Sequence, residues 1–201
     1  MNAKAILDIL VKEYPLLVFN RFPFPLPYLG SKTIKAILLG ADPTHIVNDI
    51  PQDLSRVFGL DLNYSPYWNG IKNNINTIES LTLDNLYVQN VCRIFFKIET
   101  SKNEKWTEIA QRYWIQFLKE ELENLFDPEL PILMTTEFIL KASLNNPEEF
   151  IKASDLYKYC KTFPKETNNF HRELIALYRH PDYSLKLNKN YSTFLSDRFK
   201  S

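Results

Sequence analysis

Three polar residues whose side chains can do acid–base or hydrogen-bonding chemistry lie at the carboxyl ends of short apolar runs. Asp42 follows the run 34–40, Asn90 lies at the end of the run 83–91, and His180 follows the run 174–178. Short apolar runs of this kind are typical of parallel strands buried on both faces. Because parallel strands end at the same edge of a sheet, we expect the three side chains to meet there, where ligands bind in open α/β sheets.

Each of these residues has a chemical use and also an ordinary structural interpretation. Gly40 and Pro43 indicate a tight turn that presents the Asp42 carboxylate on a loop. The Asn90 amide offers a donor and an acceptor to a planar ligand, and the His180 imidazole can donate to a developing negative charge. An Asp-Pro turn, a turn-stabilising asparagine and a structural histidine are the alternatives. Three polar groups at one edge are a stronger indication than any one alone.

The elements that must position these residues alternate between strand and helix. Apolar spacing predicts helices over 3–14, 67–80, 107–125, 138–144 and 191–199, and strands over 34–40, 83–91, 131–134 and 174–178. This order predicts an α/β fold, a three-layer α/β/α sandwich with a central four-stranded parallel sheet. The proline-rich stretch Asn20–Gly30 is expected to be a covering arm, and Asn145–Thr167 an insertion packed on the outside. Phe58 lies near the pocket if Asp42 does, although a core aromatic is the commoner interpretation.

Composition narrows the classes of function. The 201 residues fit one domain, and 24 basic residues balance 24 acidic ones, so a nucleic-acid partner would need a local patch. Cys92 and Cys160 form no CxxC pair and are expected to be free thiols of an intracellular protein, too few for an iron–sulfur cluster. No stretch reads as a signal peptide or membrane span. We therefore expect a cytoplasmic monomer with no membrane association.

The motifs, taken in order, resemble those of the uracil-DNA glycosylase superfamily. The stretches that carry the likeness are GADPTH at 40–45, LYVQN at 86–90, the polar segment 93–106 with ETSKNEKW, RHPDYS at 179–184, and the final NYSTFL. They are similar to the family's GQDPYH, its LLLLN strand, its segment running from a Ser-His pair to GW, its HPSPLS and its HFSKANxYL ending. The likeness covers most of the chain and implies the fold of that superfamily.

The resemblance also implies a role for each matching residue. Asp42 would orient or activate water and stabilise the positive charge that develops on the sugar. Phe58 would stack on a flipped base, Asn90 would hydrogen-bond its Watson–Crick edge, and His180 would donate to the O2 of the departing base. Leu185, the nearest apolar residue after the histidine motif, would fill the gap left in the base stack. The scheme needs no metal and no organic cofactor.

Several positions depart from the family's pattern. Thr44 replaces the tyrosine whose ring blocks the methyl group of thymine, and Ala41 replaces a glutamine beside the base. Ser101 and Lys102 stand where the family has Ser-His and are expected to contact DNA. Asp182 replaces a serine that helps to hold phosphate, and its charge would repel the DNA backbone.

Taken together, the resemblance implies a monofunctional DNA glycosylase. It would hydrolyse the N-glycosidic bond of uracil or a related damaged pyrimidine flipped out of DNA, as in base excision repair. Its partner would be uracil-containing or abasic DNA. The alternative is a catalytically inactive member of the superfamily that serves as a nucleic-acid or protein binding module. An unrelated hydrolase or nucleotide-binding protein ranks last, since the sequence has no glycine-rich phosphate loop or nucleophile motif.

Overall fold

The α/β fold predicted from the sequence is confirmed by a computed structural model, which describes residues 2–47, 50–62 and 65–200. The strands are β1 Tyr28–Leu29, β2 Ala36–Gly40, β3 Ile46–Val47, β4 Ile50–Pro51, β5 Leu86–Asn90, β6 Ile132–Met134 and β7 Leu174–Ala176. The helices are α1 Ala3–Glu13, α2 Pro66–Ile75, α3 Trp106–Ile109, α4 Ile115–Leu125, α5 Glu137–Ser143, α6 Ala153–Tyr159 and α7 Lys189–Phe199. A π-helical segment, Ala110–Trp114, joins α3 to α4.

The central sheet has five strands and is mixed, in the order β1-β5-β2-β6-β7. Four of these strands are parallel to their neighbours, and β1 pairs antiparallel with β5. The prediction of a four-stranded, wholly parallel sheet was therefore wrong by one edge strand. The prolines of Asn20–Gly30 argue against a strand and predict a covering arm, but the two residues that follow Pro27 pair with β5.

The register of the sheet brings the polar strand ends together. Gly40 of β2 pairs with Asn90 of β5, and Leu39 pairs with Met134 of β6. Met134 in turn pairs with Ala176 of β7. Asp42, Asn90 and the Arg179-His180 pair therefore leave the same edge of the sheet, as the sequence predicts.

Local side-chain caps explain where several helices begin. The Asn2 side-chain oxygen Oδ1 accepts a hydrogen bond from the Ala5 amide at 2.9 Å, and the Ser65 hydroxyl accepts one from the Trp68 amide at 3.2 Å. The Thr136 hydroxyl likewise accepts from the Phe138 amide at 2.9 Å. Helix α2 ends at Ile75 rather than at Ser80, and β5 begins at Leu86 because a 3-10 turn covers Leu83–Asn85.

Two other expectations change with the structure. The stretch 45–55 is polar and turn-rich, which predicts a loop, but it contains the short hairpin β3–β4, part of which lies outside the described residues. The stretch Asn145–Thr167 is not an external insertion, because it forms α6 and buries Leu156, Tyr157 and Phe163 in the core. Charged residues and prolines are interspersed along this stretch, so the apolar spacing of α6 is not evident from the sequence. Among the described residues, no helix combines the length and the apolar character required to span a membrane.

Candidate functional site

A pocket of about 860 Å³ opens at the edge of the sheet where the parallel strands end. Its walls come from the loop after β2, the turn at Val57–Gly59, the start of α2 and the segment that follows β7. Of the residues predicted from the sequence to form the site, the pocket is lined by Ala41, Asp42, Thr44, Phe58, Ser101 and His180. Long-range strand pairing thus gathers side chains that are up to 139 positions apart, from Ala41 to His180.

The Asp42 carboxylate is held by three hydrogen-bond donors. Its Oδ1 accepts from the Thr44 amide at 2.9 Å, and its Oδ2 accepts from the Thr100 hydroxyl at 2.5 Å and from the Trp106 indole Nε1 at 2.9 Å. Trp106 is completely buried at the start of the long helix, so it is a rigid donor. These contacts orient the carboxylate in one direction and satisfy part of its hydrogen-bonding capacity.

Burial raises the pKa of Asp42 above that of an ordinary aspartate, and the hydrogen bonds from Thr100, Thr44 and Trp106 oppose that shift. The carboxylate is consequently a stronger proton acceptor than one exposed to water. Burial, with a further contribution from the Asp42 charge, also raises the pKa of the Cys92 thiol well above its usual value. Cys92 is therefore a buried neutral thiol and not an activated nucleophile.

The loop after β2 is fastened to the segment after β5. The Thr44 hydroxyl oxygen accepts from the Phe96 amide at 2.8 Å, and the Ala41 carbonyl accepts from the Cys92 amide at 2.9 Å. Ala41 is almost buried, with 5% of its surface exposed in the pocket wall. Thr44, which the sequence predicts to lie near the base, therefore also stabilises the loop that carries Asp42.

Phe58 occupies a strained position over the end of β2. Its φ of 61° lies in the left-handed region, which a bulky side chain rarely adopts. The Ser65 hydroxyl donates to the Phe58 carbonyl at 3.0 Å, and the ring packs edge-on against Tyr67 with centroids 5.3 Å apart. A Cβ atom at Gly40 would lie 2.2 Å from Phe58 Cε1, so only glycine lets the ring close over the end of β2.

Asn90 lies beneath this ring and does not line the pocket formed by the described residues. It is 2% exposed, and its side-chain oxygen has no hydrogen-bond partner in the part of the chain that is described. The same oxygen lies 2.5 Å from the position that a Cβ of Gly40 would occupy. An unpaired buried acceptor is costly, so its position at a strand end beside Phe58 calls for a functional explanation.

His180 is at the rim of the pocket, with 65% of its side chain exposed. Its Nδ1 accepts a hydrogen bond from the Asp182 amide at 3.3 Å. In the neutral ring this contact requires the proton to be on Nε2, which leaves Nε2–H as the free donor. The Asp182 carboxylate lies 3.5 Å from Nδ1 and would pair with the protonated ring.

The three residues expected to contact DNA have different positions. Ser101 lines the pocket, whereas Lys102 is exposed outside it and pairs with Glu99 at 2.9 Å. Leu185 is fully buried, and its amide donates to the Asn74 side chain at 3.0 Å. The expectation that Leu185 is a surface wedge was therefore wrong: it packs into the core, and Leu187, two positions later, is the exposed leucine of this segment.

Sequence reasoning missed several residues of the site. Thr100 and Trp106 bind the Asp42 carboxylate. The Thr135 hydroxyl donates to the Leu39 carbonyl, so Tyr67 is the donor in its 2.9 Å hydrogen bond with Thr135. Arg179 lies over the Tyr67 ring, with its guanidinium carbon 4.8 Å from the ring centroid. Thr100, Trp106 and Arg179 lie in stretches that carry the family likeness, but their residue types do not indicate a role, and no local pattern marks Tyr67. Only the position of Arg179 beside the predicted His180 could have drawn attention to it.

No family model, no curated protein and no solved structure matches this chain. Function is therefore inferred from the sequence and from the geometry of the pocket. Within residues 2–47, 50–62 and 65–200, no group of three or more histidine, cysteine, aspartate or glutamate side chains is placed to hold a metal ion.

Proposed function

We propose that this chain is a divergent member of the uracil-DNA glycosylase superfamily, with its three-layer fold, and that it releases uracil or a related pyrimidine from DNA. The observation that carries the proposal is the oriented Asp42 carboxylate, which shares one pocket with Phe58 and His180. Four mutually parallel strands that end at the edge of the sheet where that pocket opens are consistent with such a fold.

In this reaction the bond between the sugar C1′ and the base nitrogen breaks, and the bonding electrons leave with the base. Asp42 stabilises the positive charge on the sugar and accepts a proton from the attacking water, whose oxygen bonds to C1′. The Nε2–H of His180 donates a hydrogen bond to the O2 of the departing base, which then takes a proton from solvent. The products are a free base and an abasic sugar.

The base-reading step uses Phe58 and Asn90. The unpaired Asn90 oxygen is an acceptor for an N–H group such as N3–H of uracil. Because the Phe58 ring covers Gly40 and Asn90, the ring must shift when a base enters. Relief of the left-handed backbone conformation at Phe58 would favour that movement.

The direct test is release of free base from oligonucleotides that carry uracil, thymine opposite guanine or hypoxanthine, in single and double strands. Asp42→Asn removes the proton acceptor and is expected to lower the rate of release by a factor of about 100 or more. Asp8→Asn is the matched control, because Asp8 is an exposed residue of α1 whose partner is Lys4, and it should leave the rate unchanged. Equal rates in Asp42→Asn and the unaltered chain would contradict the role of Asp42.

A second candidate is a member of the same superfamily that binds DNA or a protein without catalysis. The carboxylates of Glu99, Glu137 and Asp182 on the pocket wall favour the protein-binding form of this candidate, because they repel a DNA backbone. Saturable binding to abasic or uracil-containing DNA with no release of base would support this candidate. Absence of DNA binding would leave only a protein partner.

A further inference from the structure

Arg179 differs from every other charged residue that lines the pocket. It is the only lysine or arginine among the described lining residues, whose acidic and histidine members are Asp42, His45, Glu99, Glu137, His180 and Asp182. Its side chain is exposed, and its guanidinium forms no hydrogen bond or ion pair with the described part of the chain. Five N–H donors in a planar fork are therefore available to a ligand in the pocket.

The surroundings hold Arg179 in place without using those donors. The guanidinium lies over the ring of Tyr67, a cation–π contact, and the Tyr67 hydroxyl is anchored on Thr135. The Arg179 amide donates to the Thr135 carbonyl at 3.2 Å. Gly70 of α2 packs beside the arginine, and a Cβ there would make an ordinary van der Waals contact with Arg179 Cγ at 3.4 Å.

The charges of Arg179 and Asp42 both influence the pKa of Tyr67. Burial raises the pKa of Tyr67 to about 12, the positive charge of Arg179 lowers it, and the negative charge of Asp42 raises it. The phenol is therefore neutral at physiological pH, and both charges are close enough to influence it. A ligand in this pocket would meet the Asp42 carboxylate and the Arg179 guanidinium in the same lining.

We propose that Arg179 is a phosphate-binding residue that positions a nucleotide with its glycosidic bond toward Asp42. The planar fork matches two phosphate oxygens, and Arg179 is the one described lining side chain with a permanent positive charge, whereas Glu99, Glu137 and Asp182 repel an anion. This inference rests on the proposed function for the nucleotide. The phosphate belongs either to a DNA strand or to a free mononucleotide, and these two sources require separate measurements.

The test measures binding and not base release, so it is independent of catalysis. The affinity of the full chain for a fluorescent oligonucleotide carrying an abasic site is measured at several salt concentrations, and the affinities for dUMP and deoxyuridine are measured by calorimetry. Arg179→Gln is expected to weaken phosphate binding about tenfold or more and to lower the salt slope for the oligonucleotide by about 1. Arg179→Lys should retain the salt slope but not the full affinity, because it keeps the charge and loses the fork.

Arg112→Gln is the matched control. Arg112 lies on the π-helical segment, pairs with Glu13 of α1 and is not among the described residues that line the pocket. Arg112→Gln therefore changes the net charge by as much as Arg179→Gln does and should leave every affinity unchanged. Weaker binding of the oligonucleotide in Arg179→Gln would assign the phosphate to a DNA strand. Weaker binding of dUMP alone, with deoxyuridine unaffected, would assign it to a free nucleotide. Unchanged affinities for both, with an unchanged salt slope, would overturn the proposal even if Asp42-dependent base release had been found.

Discussion

At the scale of single residues, the site depends on how Asp42 is both buried and hydrogen-bonded. Burial raises its pKa, and the hydrogen bond from Thr100 is the largest influence in the opposite direction. The folded chain therefore binds a proton at Asp42 more tightly than the unfolded chain does. The contribution of Asp42 to stability is fully present below the ordinary aspartate pKa and is lost as the pH rises through the raised value. Ionisation of Asp42, which the proposed reaction requires, therefore lowers the stability of the folded chain.

The acid limb of the pH–rate profile tests this balance. Thr100→Val keeps the shape of the side chain but removes its donor, so the pKa of Asp42 should rise further. Because only the ionised carboxylate accepts a proton, the fall in kcat/KM for base release should begin at a higher pH than in the unaltered chain. NMR titration of the Asp42 carboxyl measures the same change without reference to catalysis.

Thr193→Val provides the control for this experiment. Thr193 is an exposed residue of α7 whose hydroxyl donates to the Lys189 carbonyl, away from the pocket. Its profile and the titration of Asp42 should match those of the unaltered chain. A Thr100→Val variant whose Asp42 titrates at the original pH would show that the hydrogen bond does not tune the carboxylate.

At the scale of elements, a buried arginine from a later segment of the chain, Arg172, packs against the C-terminal end of the long helix that begins at Trp106. Arg172 is 1% exposed, and its guanidinium donates to main-chain carbonyls at the end of α4 and just beyond it. The acceptors are the carbonyls of Leu122 at 3.1 Å, Phe126 at 3.0 Å, Leu130 at 3.2 Å and Asp127. Carbonyls at a helix C-terminus lack partners within the helix, so one side chain satisfies several of them.

Replacement of Arg172 should therefore destabilise the whole fold. Arg172→Met fills a similar volume but leaves those carbonyls unpaired, and we expect the free energy of unfolding to fall by at least about 2 kcal/mol. Urea denaturation measures the change. Arg112→Met, which removes an exposed arginine from the same continuous helix, should cost less than about 1 kcal/mol. Equal losses in the two variants would contradict the role of Arg172 as a buried cap.

At the scale of the whole molecule, residues from α1 to α7 contribute to one hydrophobic core. The segment that the sequence suggested was an outer insertion takes part in it through Tyr157. The Tyr157 ring stacks on Tyr191 with centroids 4.3 Å apart, and its hydroxyl accepts from the Tyr178 amide at 2.8 Å. Tyr178 lines the pocket, so the packing of α6 reaches the wall of the site.

The prediction at this scale concerns cooperativity. Tyr157→Ala removes a buried ring and should lower the free energy of unfolding by about 3–5 kcal/mol. Because the segment shares the core, tryptophan fluorescence and far-UV circular dichroism should still report one coincident urea transition. Tyr159→Ala, on the same helix but 56% exposed, should change stability by less than about 0.5 kcal/mol. Two separate transitions would indicate that α6 unfolds apart from the rest of the chain.

The amino-acid sequence by itself determined the α/β class and the main strands, because apolar periodicity and strand-ending glycines are local signals. It also predicted Asp42, Asn90 and His180 for one edge of the sheet, since parallel strands end together. Local patterns could not reveal β1, whose two residues follow a proline and pair with β5 across 58 positions, from Leu29 to Tyr87. They also could not reveal that Leu185 is buried.

Only the tertiary structure decided which side chains complete the site. Thr100 and Trp106 reach Asp42 from 58 and 64 positions away, and Arg179 meets Tyr67 across the pocket. The burial that raises the pKa of Asp42 and the ring that covers Asn90 also depend on packing between distant segments. The physical reason is that hydrogen bonding and desolvation depend on distances in space, whereas periodicity and turn chemistry depend on neighbours along the chain.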